Sequence, residues 1–275
     1  MTTDDAAPRA RLSLNQQTTQ RWSLAEAIDG CMRAGVPHIG IWRDKIAAVG
    51  LERAVRLVRD AGIGVSGVCR GGMFPAASAA ERAARIDDTR RAIDEAAALG
   101  AHTLVLVCGA AADRDIARGR QQVADAIAAL VPDASAAGVV LGIEPLHPMF
   151  AADRSVITTL GEALDLAEPH AAAAVGVIID AYHVWWDPQL SAQIRRARGR
   201  IAGYHVSDWL VPTPHMLLGR GMMGDGVIAL RQIRQHVDAA GYTGPIEVEI
   251  FNQAIWDRPG DDVVAELVAR YCAHV

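Results

Sequence analysis

Two kinds of segment alternate along the chain. Short runs of β-branched and aliphatic residues, such as "TLVLVC" (103–108) and "VGVIID" (175–180), give way to longer stretches rich in alanine, leucine and arginine with helical spacing, such as "LERAVRLVRDAG" (51–62). The apolar runs predict eight strands, at 11–17, 38–43, 64–70, 103–108, 139–145, 175–180, 201–207 and 246–251. Helix starts are marked where a hydroxyl is followed three residues later by glutamate, at Ser23 with Glu26, Ser78 with Glu81 and Thr159 with Glu162, because each pair can satisfy two otherwise orphan amides. Asp187-Pro188 predicts a further start. Gly35, Gly62, Gly100, Gly138 and Gly241 stand where helices should end, since glycine enters the left-handed conformation cheaply.

Strand followed by crossover helix predicts a parallel sheet, and eight such units in about 265 residues predict an α/β fold with one closed (β/α)8 TIM barrel over 11–275, behind a polar tail at 1–10. An open doubly wound sheet would show a glycine-rich phosphate turn after its first strand. Here that place reads "NQQTTQRW" (15–22), with neither GxGxxG nor a Walker sequence.

Composition narrows the partners. The formal charge of −5 is spread without basic blocks, which excludes the positive stripe that nucleic acid requires. No apolar run reaches membrane-spanning length, so no membrane partner is expected. Cys31, Cys69, Cys108 and Cys272 are scattered without a CxxC pair and no signal peptide is evident; they read as small hydrophobes in a reduced, cytoplasmic protein. Alanine- and arginine-rich helix faces permit a homo-oligomer, and a small molecule is left as the expected ligand.

Chemistry in such a barrel belongs at the carboxyl ends of the strands. His38 and His102 open their strands, and His170, His236 and His274 fall in helices or at the terminus; only His147, His183, His205 and His215 lie at or just beyond carboxyl ends. Glu144, Asp180 and Glu249 end the fifth, sixth and eighth strands, and His205 ends the seventh. Each alone reads equally as a turn or cap residue, but four neighbouring strands place one donor each at the same mouth, and strand alternation lets all point inward. Three carboxylates and one imidazole form a hard-to-borderline set, suited to manganese first, and to magnesium, iron or cobalt.

The same parity sets Gly142 and Gly203 beneath Glu144 and His205, leaving room there, and Glu247 beneath Glu249. Glu247 is expected to be a buried carboxylate bonded to Asn15, Gln17 or another polar group, supporting the ligands from below. Trp42, Trp185, Trp186, Trp209 and Trp256 cluster near strand carboxyl ends with Phe74 and Phe251, either packing loops or lining a pocket; Trp42 and Trp186 are the pocket candidates. Arg43 and Arg70, ending the second and third strands, either meet an anionic ligand or pair with Asp44 or another loop acid.

"GIEPLHP" (142–148), "DAYH" (180–183), "GYHVSDW" (203–209), "GRGMMGDG" (219–226) and "GYTGPIEVEIF" (241–251) together resemble the xylose isomerase-like TIM barrels, which include ketose 3-epimerases, hydroxypyruvate isomerase, inosose-processing enzymes and, more distantly, endonuclease IV. The resemblance implies that Glu144, Asp180, His205 and Glu249 ligate one divalent ion. It implies that Glu144 and Glu249 are the acid–base pair, and that His183 and Arg220 contact substrate, with His147 reaching another substrate oxygen. Two departures stand out: the glycine-rich loop carries Met222 and Met223, and Phe150 lies near the place where ketose 3-epimerases commonly hold another glutamate. The extra histidines of endonuclease IV are missing from "WRDK" (42–45) and "CRGG" (69–72). The expected function is a metal-dependent isomerase or epimerase of a keto sugar, cyclitol ketone or related polyhydroxy carbonyl compound, acting by α-proton abstraction through an enediolate. A lyase on the same scaffold, either a dehydratase or a C-glycoside-cleaving subunit, is the alternative, and a metal-free accessory subunit a third reading.

Overall fold

The computed structural model describes residues 9–275. Of the tail expected at 1–10, residues 1–8 lie outside the described residues, and Arg9 begins a turn in which its carbonyl accepts from Leu12 N–H at 2.9 Å. Ten strands follow: β1 (Leu12–Asn15), β2 (His38–Trp42), β3 (Gly64–Gly72), β4 (Thr103–Val107), β5 (Val140–Glu144), β6 (Val175–Asp180), β7 (Ile201–Val206), β8 (Asp208–Trp209), β9 (Arg220–Gly221) and β10 (Ile246–Val248). Eight of them close a barrel in the order β1-β10-β7-β6-β5-β4-β3-β2, while β8 and β9 form a separate antiparallel pair.

Alternation along the strands divides the apolar residues into two bodies. Leu12, Leu14, Ile39, Ile41, Leu104 and Leu106 belong to the main core shared with the helices. Inside the barrel a much smaller cluster forms from Cys69, Val105 and Ile178, with Trp42 and Ala202 packed against it. A methyl placed on Gly142 or Gly203 would stand 2.7 or 2.8 Å from Ile178 Cδ1, so the room left by both glycines is taken by one isoleucine. The void remaining beside it measures about 10 Å³, space for no more than one water.

The three hydroxyl–glutamate pairs all form reciprocal caps, at the starts of the helices Leu24–Ala34, Ala79–Ala98 and Leu160–Ala167. The helix expected at Asp187-Pro188 begins later, at Leu190, because Asp187 spends its side chain on Gln189 N–H in a preceding turn. The first strand is shorter than its apolar pattern. Asn15 accepts from Gln17 N–H at 2.9 Å and turns the chain into a 3-10 helix, Gln16–Thr19.

Candidate active site

The barrel's carboxyl end gathers Glu144, Asp180, His205 and Glu249, each offering one ligand atom, with these atoms within 4.8 Å of one another. β5 and β6 deliver Glu144 and Asp180 as their last residues, His205 is the next to last of β7, and Glu249 lies one residue past β10, tied back by its N–H to Val206 O at 3.2 Å. Asp180 serves as cap and site residue together: Oδ1 accepts from Tyr182 N–H at 2.9 Å, while Oδ2 faces Arg220 Nη1 at 2.8 Å. His205 Nδ1 lies 3.5 Å from Glu144 Oε1 and 3.7 Å from Glu249 Oε2. Both Glu144 Oε1 and His205 Nδ1 are buried with no hydrogen-bond partner. Polar atoms left without partners are costly in a protein interior, and a cation in place of the protons satisfies a carboxylate oxygen and an imidazole nitrogen together.

The electrostatics agree with that composition. Burial, reinforced by the charges of Glu249 and Asp180, pushes the Glu144 carboxyl up to about 7. Burial opposes a charged His205, but Glu247, Glu144 and Glu249 outweigh it and hold the imidazole well above its ordinary value. For Asp180, burial is overcome chiefly by Arg220, with His205 adding to it, and the pKa stays low. Burial drives His183 down to about 3, so its ring is neutral. Carboxylates crowded this closely retain protons unless a positive charge replaces them, and a divalent cation does so.

Beneath the donors lies a second tier. Glu247 is 5% exposed; its Oε1 accepts from Asn15 Nδ2 at 2.5 Å and its Oε2 from the Ser66 hydroxyl. Burial is the main cause of its raised pKa. The same Asn15 amide donates to Glu249 Oε1 at 3.0 Å, and Asn15 Oδ1 accepts from Trp42 Nε1 at 2.9 Å. Gln17, the other partner considered for Glu247, is diverted by the turn after β1. Two residues give no local sign of their part. Ser66 comes from β3, across the barrel, and Gly40 has no side chain because a methyl there would stand 2.1 Å from Glu247 Oε1.

Above the cluster opens a cavity of about 140 Å³. Glu144, Glu249, His183 and Arg220 lie at its buried end, and Trp42, Phe150, Leu217 and Phe251 supply apolar walls. Arg220 is 3% exposed, and bonds Asp180 Oδ2 and Glu249 Oε2 through Nη1 at 2.8 and 3.2 Å. Its guanidinium lies 4.6 Å from the Tyr182 ring centre and 5.2 Å from that of Phe251. Arg220 Nη2 is 3.0 Å from His183 Nε2. The loop that follows is pinned by Asp208, whose carboxylate accepts from the N–H groups of Trp209, Gly224 and Ile228 at 2.9, 2.9 and 3.0 Å. Met222 and Met223 of this loop are buried in the main core.

Other candidates fall elsewhere. His147 caps a 3-10 turn by accepting from Met149 N–H, and its ring lies tilted 4.9 Å from Trp209 and edge-on 5.7 Å from Trp186; neither His147 nor Trp186 lines the cavity. Trp186 donates to the His183 carbonyl at 2.9 Å, so both rings steady the loop that carries His183. His215 is exposed, and its Nδ1 caps the turn at Leu217 and Leu218. Arg43 is paired with Asp88 and Glu95 rather than with Asp44. Arg70 does line the cavity, together with Arg154, which the strand pattern did not reveal.

Among the described residues, no helix is long and apolar enough to cross a membrane. No curated protein matches the sequence. The crystal structure of protein SMc04130 from Sinorhizobium meliloti 1021 is similar, with 52% identity over 95% of this chain and 97% of that one and a TM-score of 0.93. The IolI protein with a binding zinc atom superposes with a TM-score of 0.83 at 17% identity, over 95% and 97% of the two chains. The 3-keto-D-glucoside 4-epimerase YcjR from E. coli does so with 0.74 at 18% identity, over 94% and 99%. These last two likenesses establish the fold. The profile of one family, described as xylose isomerase-like TIM barrel, matches residues 27–272, and this chain belongs to that family.

Proposed function

We propose that the protein is a divalent-metal-dependent isomerase or epimerase of a keto sugar, cyclitol ketone or related polyhydroxy carbonyl compound, with manganese as the metal. The observation that carries this reading is the set of four buried donors within 4.8 Å, two of them with orphaned atoms, at the inner end of a small cavity. Glu144, Asp180, His205 and Glu249 would hold the ion, three oxygens and one nitrogen suiting manganese, magnesium, iron or cobalt. The IolI structure shows the same fold carrying zinc.

A bound divalent ion supplies Lewis acidity that polarises a carbonyl and stabilises the developing enolate. The protein's own groups do the rest. Glu144 and Glu249 both line the cavity, and one takes the proton α to the carbonyl while the other returns a proton to the opposite face. Burial raises the Glu144 carboxyl pKa and a bound cation would lower it again, so the group can serve in either role as the proton moves. Neutral His183 and the fixed guanidinium of Arg220 orient the substrate oxygens. Phe150 and Phe251 keep water from the reacting carbon.

The test is solvent deuterium uptake at the α-carbon of candidate ketoses and cyclitol ketones, followed by NMR with manganese-loaded protein and metal analysis of the same sample. Uptake with stoichiometric metal, lost in Glu144→Gln, is expected. An eliminated product in place of exchange would identify a lyase, and neither metal nor exchange would remove the reading.

A further inference from the structure

The arginines around the cavity fall into two groups. Arg220 is held by Asp180 and Glu249, Arg43 by Asp88 and Glu95, and Arg85 by the carbonyls of Met73 and Pro75. Arg70 and Arg154 are different. Both are half-buried and line the cavity. Among the described residues Arg70 makes no hydrogen bond or ion pair. Arg154 Nε is buried without an acceptor, and its one acidic neighbour, Asp153, lies 3.7 Å away and is 61% exposed. None of the site's own carboxylates serves them: Asp180 and Glu249 hold Arg220, Glu247 is taken by Asn15 and Ser66, and Glu144 faces His205.

A buried guanidinium nitrogen without an acceptor, as at Arg154 Nε, is unfavourable, and two guanidinium charges lining one cavity also repel each other. Arg154 is kept in place by the Phe150 ring, 5.7 Å from its guanidinium carbon. Arg70 stands where the cavity joins a wider groove of about 700 Å³, which shares Trp42, Cys69 and Arg70 with it. Arg70 thus places positive charge where the cavity meets the groove, and Arg154 lines the same cavity as Glu144 and Glu249. An oxyanion is the chemistry that two such forks accept.

We infer that the substrate carries an anionic group, a carboxylate or a phosphate, which Arg70 and Arg154 grip while its carbonyl end reaches Glu144 and Glu249. The inference rests on the isomerase reading only for the placement of that carbonyl end. It makes Arg70 and Arg154 the specificity determinants, and it makes neutral sugars poor ligands.

The experiment uses three ketoses that differ at one carbon, D-fructose, D-fructuronate and D-fructose 6-phosphate, titrated calorimetrically into manganese-loaded full-length protein, with malonate and inorganic phosphate as minimal anions. At least one anionic ketose is expected to bind about ten-fold or more tightly than fructose, as charge-assisted bonds of this type provide. Arg70→Gln and Arg154→Gln should each remove most of that preference while leaving fructose affinity within about two-fold, and 0.5 M salt should weaken the anions alone. The carboxylate and phosphate arms identify which group is held. Equal binding of all three ketoses, equal weakening of all three by the substitutions, or no binding of any of the five compounds overturns the inference. Deuterium exchange measured on the same samples separates the two readings: anion preference without exchange upholds this inference and removes the isomerase, and exchange without preference does the reverse.

Discussion

The inner face of the barrel is divided into two arcs of opposite character. β5, β6, β7 and β10 place the ionisable groups of Glu144, Asp180, His205 and, just past its end, Glu249 at the mouth. β1 to β4 contribute no carboxylate there; they bring Asn15, Trp42 and Ser66, and the bare backbone of Gly40. The first arc carries the negative charge and the second holds it still, because Asn15 and Ser66 bond Glu247, and Asn15 bonds Glu249, with directed hydrogen bonds. A cluster of like charges needs such neighbours: left to itself it would spread apart.

The division can be broken most decisively at its charged side. Glu144→Gln and Glu249→Gln should each lower α-proton exchange by about 10²- to 10⁴-fold with the fold intact, judged by NMR exchange and circular dichroism. A loss of equal size in Asn15→Ala at saturating metal would erase the distinction between the arcs. Asn15→Ala and Glu247→Gln should instead weaken manganese binding by about 10- to 100-fold, read by electron paramagnetic resonance titration, with much of the turnover recovered at high metal. Unchanged affinity in both would leave the supporting tier without a role.

Smaller effects sharpen the contrast. Gly40→Ala forces a methyl against the bonded Glu247 carboxylate and should cost about 1–3 kcal/mol in urea unfolding, along with metal affinity. Gly142→Ala, in the charged arc, meets only apolar atoms, chiefly Ile178 Cδ1 at 2.7 Å, and disturbs no bonded carboxylate, so it should cost less. Least of all is a pH effect at the far end of the supporting arc. Burial lowers the pKa of His38 below the ordinary 6.5, so the unfolded chain takes up a proton before the folded one does. Stability should therefore fall as pH drops through 6.5 and stop falling below the folded-state value, and His38→Gln should flatten that slope.

The staves and the four donors were legible because a strand's period of two converts position into direction: an inward Glu144 follows from the run that ends in it. Reading failed where the chain leaves a strand. His147 lies three residues past Glu144, where alternation has ceased, and it turns to Trp209 instead of the cavity. Arg154 sits in the irregular stretch after the same strand and carries no periodic signal. Asp208 was visible within "GYHVSDW", but the amides that define its work, those of Gly224 and Ile228, are 16 and 20 residues away. Gly40 was invisible for a further reason: an absent side chain has meaning only beside the Glu247 carboxylate, which only the closed barrel brings near.

Ile178 plugs the well from below, where about 10 Å³ remains. On the proposed reading, ion and substrate would both enter from the cavity above, which Glu144 and Glu249 line. The cation would then arrive first and depart last, and a ligand-loaded protein would surrender a bound metal to a chelator only at the pace at which the ligand comes away.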